Sequence, residues 1–128
     1  MRARLVAFLS VFALVVLACT SMQPVKLSVD DEGRTVQMIS GQELVLNLEA
    51  DHSKGLRWWL ADSVDVILIP LGKPGYSSRS ASPAGGGFEV WRFKAARAGM
   101  QVLRFEYLGS LKETATPART LSYTIVVK

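Results

Sequence analysis

The sequence predicts an all-β protein, an antiparallel β-sandwich of about eight short strands. Three observations carry this. Apolar residues alternate with polar ones over runs of five to nine residues, the period of a strand with one buried face. Glycine, proline, aspartate and serine punctuate the chain between those runs. No segment of the mature chain shows a helical period or a capped helix start. Several short strands with turn signals between them are the pattern of a sandwich.

The elements follow in order. Val25, Leu27 and Val29 alternate with Lys26 and Ser28 as a first strand, and the Asp30–Gly33 stretch is a turn. Thr35–Ile39 places Val36 in phase with Met38. Glu43–Glu49 puts Leu44, Leu46 and Leu48 on one face. Asp51–Gly55 is a polar loop ended by glycine, and Leu56–Ala61 carries Trp58 and Trp59 on opposite faces. Val64–Leu71 is nearly all apolar, as in a strand covered on both sides. Gly72–Gly87 is the longest irregular stretch, of a length usually functional or mobile. Phe88–Ala95 then places Trp91 and Phe93 on one face and Val90 and Arg92 on the other. Met100–Leu108 alternates through Leu103, Phe105 and Tyr107. Gly109–Arg119 is a second polar loop. Leu121, Tyr123, Ile125 and Val127 form the final strand. The aromatics Trp91, Phe93, Phe105, Tyr107 and Tyr123 are expected in the core, while Trp58 or Trp59, beside a polar loop, is the expected exception.

Residues 1–18 have the form of a secretory leader. Arg2 and Arg4 precede an apolar run from Leu5 to Ala18, too short to be a good membrane-spanning helix. The run ends Val16-Leu17-Ala18-Cys19, which resembles the bacterial lipobox, where cleavage precedes the cysteine and its thiol carries a diacylglycerol. An ordinary secretory signal is the alternative. Cys19 is the only cysteine, so no intrachain disulfide forms and lipidation would consume the thiol. Lipid holds a protein at a membrane rather than across it. Thr20, where an aspartate would favour the inner membrane, points to the outer membrane facing the periplasm. The expected organisation is therefore a lipoprotein signal over residues 1–18, a lipidated Cys19 with a tether to Pro24, and one β domain over 25–128.

About 110 residues remain, enough for one core. Loss of Arg2 and Arg4 lowers the formal charge from +4 to about +2. The remaining basic residues are scattered, which argues against nucleic acid as a partner. Chemistry is poorly supplied. His52 is the only histidine; its neighbour Ser53 does not make a nucleophile–base pair with it, and His52 reads as a loop residue in water. One histidine and one cysteine make no zinc site, and no cofactor is implied. Asp62 and Asp65 read as solvated carboxylates. The run Gly85-Gly86-Gly87 leads into a strand rather than a helix, so it is no phosphate cradle. It is either a flexible connector or a loop stripped of side chains so that a partner's backbone can approach.

The order of the loops supplies the functional reading. Asp51-His52-Ser53-Lys54-Gly55-Leu56-Arg57-Trp58, then Ala84-Gly85-Gly86-Gly87 with Trp91-Arg92-Phe93 after it, then Leu103, Phe105 and Tyr107, resembles the chagasin-like family of cysteine-peptidase inhibitors. The likeness runs from about Val25 to Val127. Ser53, Gly55 and Trp58 fit the family's first loop, and Gly86, Gly87, Trp91 and Phe93 its second. Asp51, His52, Lys54, Leu56 and Ala84 stand where the family has other residues. Gly109, Ser110 and Leu111 occupy the third-loop positions of an Arg-Pro-Trp. The resemblance implies an immunoglobulin-like sandwich, not an enzyme, that acts as a monomer. It would plug a papain-like cysteine protease reversibly with three loops at one end. The alternative is an envelope lipoprotein whose sandwich binds another protein.

Overall fold

The structure, a computed structural model, describes residues 22–62, 66–79, 86–109 and 116–128. Among the described residues nine strands form two sheets: β1 (Val25–Ser28), β2 (Thr35–Met38), β3 (Glu43–Ala50), β4 (Arg57–Leu60), β5 (Leu68–Pro70), β6 (Gly75–Ser78), β7 (Gly87–Ala95), β8 (Gly99–Leu108) and β9 (Arg119–Val127). One sheet runs β1-β3-β7-β5, with β6 also paired to β7; the other runs β2-β9-β8-β4. Among the described residues there is no α-helix, and the chain is an immunoglobulin-like β-sandwich.

The alternation read from the sequence fixes which faces meet. Leu44, Leu46 and Leu48 of β3 are fully buried, as are Phe93 of β7, Leu103 and Phe105 of β8, and Tyr123 and Ile125 of β9. Trp91 and Tyr107 are partly buried and pack against this core. The Tyr123 hydroxyl donates to the Ser28 carbonyl at 2.8 Å, tying β9 of one sheet to the end of β1 in the other. Burial pushes that phenol up to about 12.

Four features differ from the sequence reading. The sheets are mixed: β1 pairs with β3 and β2 with β9 in parallel. Such pairs join distant segments, which local alternation does not report. Val64–Leu71 is not a doubly covered strand. Of its described residues only Leu68–Pro70 is strand, and Ile69 and Leu71 are exposed. Gly72–Gly87 is not wholly irregular, since β6 lies within it; all four of its residues are exposed and backbone pairing to β7 holds it. Two capped 3-10 turns also appear: Val29–Asp31, capped by Ser28, takes Val29 out of the expected first strand, and His52–Lys54, capped by Asp51, stands within the expected polar loop.

Candidate functional site

Strand direction determines which loops share an end. β3 finishes at Ala50 opposite Gly87, the start of β7, and β4 begins at Arg57 opposite Leu108, the end of β8. The 51–56 turn, Gly86 and Gly109 therefore converge. A Cβ built on Gly86 would lie 3.8 Å from the Ala50 carbonyl oxygen, and one on Gly109 would lie 3.4 Å from that of Gly55. Ala84, Gly85, Ser110 and Leu111, like Cys19 and Asp65, lie outside the described residues.

The first loop is built from its own residues. Asp51 caps the 3-10 turn, accepting from the Ser53 backbone N–H at 3.0 Å and from the Ser53 hydroxyl. The Ser53 hydroxyl is the main cause that holds the Asp51 carboxyl below its ordinary 3.8. Desolvation opposes this, and the Ser53 N–H and Lys54 reinforce it. Gly55 closes the turn at φ 74°, a left-handed conformation that favours glycine. The Asp51 N–H donates to the Tyr107 hydroxyl at 2.8 Å, which fixes the loop to β8. Ser53 and Lys54 are exposed at the tip; Leu56 is half-buried.

Beneath the loop sits a residue the sequence reading passed over. Glu89 of β7 is only 3% exposed. One carboxyl oxygen accepts the Trp58 backbone N–H at 2.9 Å and meets His52 Nε2 at 3.1 Å. The other accepts Trp91 Nε1–H at 3.2 Å. Two strands and the loop thus meet at one carboxyl group. A signal was available, because Glu89 is in phase with Trp91 and Phe93 and must face inward with them.

His52 is accordingly not a loop residue in water. It is half-buried, bonded to Glu89 and stacked on Tyr76 of β6 with ring centroids 3.8 Å apart. Trp58 is likewise not an exposed exception. It is 2% exposed, stacks on Tyr107 at 4.7 Å, and donates Nε1–H to the Glu49 carbonyl at 2.8 Å. Trp58 therefore supports the loop from inside the core. Asp62 is paired with Arg104 rather than merely solvated.

The glycines separate into different roles. Gly86 takes φ 71°. Gly87 lies under β6, where a Cβ would collide with the Ser77 carbonyl oxygen and come within 3.0 Å of the Ser77 carbonyl carbon and Ser78 Cα. The backbone that approaches Gly87 is thus the chain's own. Between the first two loops lies an open depression of about 330 Å³. Glu49, Asp51, Arg79, Gly86 and Arg119 are among its lining residues, with Arg79 paired to Glu49. Among the described residues no three His, Cys, Asp or Glu side chains gather to hold a metal.

The 51–56 turn, Gly86 and Gly109 thus gather at one end of a small immunoglobulin-like sandwich. Residues 37–125 match the family described as Chagasin family peptidase inhibitor I42, and the chain belongs to that family, whose members are protease inhibitors and not enzymes. Solved structures share the fold at low identity. The cysteine protease inhibitor EhICP2 from Entamoeba histolytica aligns with a TM-score of 0.72 at 17% identity, over 84% of this chain and 97% of that one. Amebosin aligns at 0.64 and 17% identity, over 83% and 100%. PbICP-C, solved in complex with falcipain-2, aligns at 0.52 and 14% identity, over 84% and 93%. Curated protein sequences yield no match.

Proposed function

We propose that this chain is a reversible inhibitor of papain-like cysteine proteases that fills the active-site cleft with the loop end of its sandwich. It is secreted on a leader over residues 1–18 and held at the envelope, on the outer membrane facing the periplasm, by lipid at Cys19. The observation that carries the reading is the meeting of the 51–56 turn, Gly86 and Gly109 at one end of a chagasin-family sandwich. The known complex of PbICP-C with falcipain-2 supports a protease of this class as the partner.

No residue of the inhibitor does chemistry in this mode. The turn, held by Asp51, Gly55 and the Glu89 carboxyl beneath it, lies across the catalytic cysteine of the protease and blocks it sterically. Preorganisation of the turn limits the ordering cost on binding. Gly86 lets backbone lie against the cleft wall without a side chain. Ala84, Gly85, Ser110 and Leu111 belong to the same binding surface.

One feature favours the second reading, a different protein partner. Lys54 stands exposed at the tip, and burying an unpaired ammonium in a cleft is costly. The test is to titrate residues 21–128, without Cys19, against a panel of papain-type proteases and follow residual activity. Saturable loss of activity at nanomolar to micromolar inhibitor is expected; full activity across the panel at micromolar inhibitor would overturn the reading in favour of the second.

A further inference from the structure

The end of the sandwich opposite the loops has its own chemistry. It is made by the Ile39–Gln42 turn, the segment after Ala95, Ile67 and Lys128. Hydrogen bonds stitch these together: Gly41 N–H to the Ala95 carbonyl at 2.7 Å, Ser40 N–H to that of Lys128 at 3.1 Å, and Ala96 N–H to that of Ile67 at 2.8 Å. Met22, Ile39, Val66 and Met100 are large apolar residues left exposed here, Met100 by 67%. Lys94, Arg97 and Lys128 are exposed beside them. The acidic Glu43 at this end is paired with Arg92 at 3.1 Å and stands opposite Lys94 in the register of β3 and β7. Exposed apolar side chains with Arg97 and Lys128 beside them suit an anionic phospholipid surface.

The path of the chain brings that surface to a membrane. The described chain begins here: Met22 packs on Gly41, and the Gln23 carbonyl accepts Gln42 Nε2–H at 2.8 Å. Three residue steps separate Met22 from Cys19, which at full extension span about 10 Å. A lipid at Cys19 therefore holds this base within about a Debye length of the headgroups, where its cations are little screened. The eight residues of β3 separate base from loops, a rise of about 25 Å.

We infer that the base carrying Met22, Ile39, Met100, Arg97 and Lys128 rests on anionic phospholipid, so that the anchored domain stands with its protease-binding loops directed away from the membrane. The inference rests on the lipoprotein reading above. It does not require the loops to inhibit a protease.

The full acylated chain is reconstituted in vesicles of phosphatidylcholine and phosphatidylglycerol at 3:1, with a spin label at Met100→Cys, Ile39→Cys or Lys54→Cys. All three sites are exposed, so folding is retained. Mass spectrometry is read first; an unmodified Cys19 removes the anchor and overturns the inference together with the lipoprotein reading. With Cys19 acylated, labels at 100 and 39 are expected to relax strongly with a lipid-attached nickel chelate. They should also be at least threefold less accessible to a water-soluble one than the label at 54. That contrast should shrink severalfold in pure phosphatidylcholine or with Arg97→Glu and Lys128→Glu together. Equal accessibility at all three positions would overturn the inference and leave the lipoprotein reading standing. Dipolar broadening between labels at 100 would overturn it in favour of a second copy as the occupant.

Discussion

Glu89 gives the sharpest test of how the loop is held. Glu89→Ala removes the acceptor for the buried Trp58 N–H and for Trp91 Nε1–H, and the partner of His52. Each donor left without a partner costs about 1–3 kcal/mol, so two donors and the lost His52 contact together cost roughly 3–5 kcal/mol. For a domain of this size that lowers the melting temperature by roughly 12–20 °C, at about 4 °C per kcal/mol. It is a large share of the roughly 5–15 kcal/mol that holds a typical domain folded. Glu89→Gln keeps the volume and one acceptor oxygen but turns an amide N–H₂ towards a donor, and should lie between the two. Thermal unfolding followed by circular dichroism reads the stability, and titration against an inhibited protease reads the loop. Both should worsen in the order wild type, Gln, Ala. A Glu89→Ala protein melting within about 3 °C of wild type, with inhibition unchanged, would refute the view that this carboxyl group is the post on which the loop stands.

Other expectations follow from the same geometry. Gly87→Val should detach β6, seen as loss of amide-exchange protection at Ser77 and Arg79 while β3 and β7 stay protected; retained protection would mean the strand can give way around a Cβ. The Tyr123 phenol is raised from 10.0 to about 12, so its contribution to stability is complete below pH 10 and is lost as pH rises through 12. An absorbance titration should then show a late tyrosine ionisation, and Tyr123→Phe should abolish that late step. Lys54→Thr removes the ammonium from the tip and should tighten binding about tenfold to a protease whose cleft offers no carboxylate, by roughly 1.4 kcal/mol. Unchanged or weaker inhibition would show that Lys54 is paired in the complex.

The faces of the long strands were readable in the sequence because burial there follows a period of two. Leu44, Leu46 and Leu48, and Leu121, Tyr123, Ile125 and Val127, all lie where alternation puts them. Glu89 shows a signal left unused: its phase with Trp91 and Phe93 puts it inside, where it is buried. β6 left no trace because Gly75–Ser78 buries no side chain, and its pairing uses backbone groups common to any sequence. The parallel pairs were hidden for the same reason. In the loop end, the turn-forming roles of Asp51 and Gly55 were visible in their residue types. The roles of His52 and Trp58 were not, because each depends on a partner more than thirty positions away.

The position of β9 bears on how the molecule comes into being. This last strand in the sequence is interior to its sheet, flanked by β2 and β8, and brings Leu121, Tyr123, Ile125 and Val127 to the core. Until those residues are available, β2 has no neighbour in the sheet and the hydroxyl that ties β9 to Ser28 is missing. Most pairings join distant parts of the chain, which slows folding. A nascent chain thus has no route to a finished core before its final residues appear. It would remain pliant until Arg119–Val127 joined the sheet, and would close into a sandwich only then.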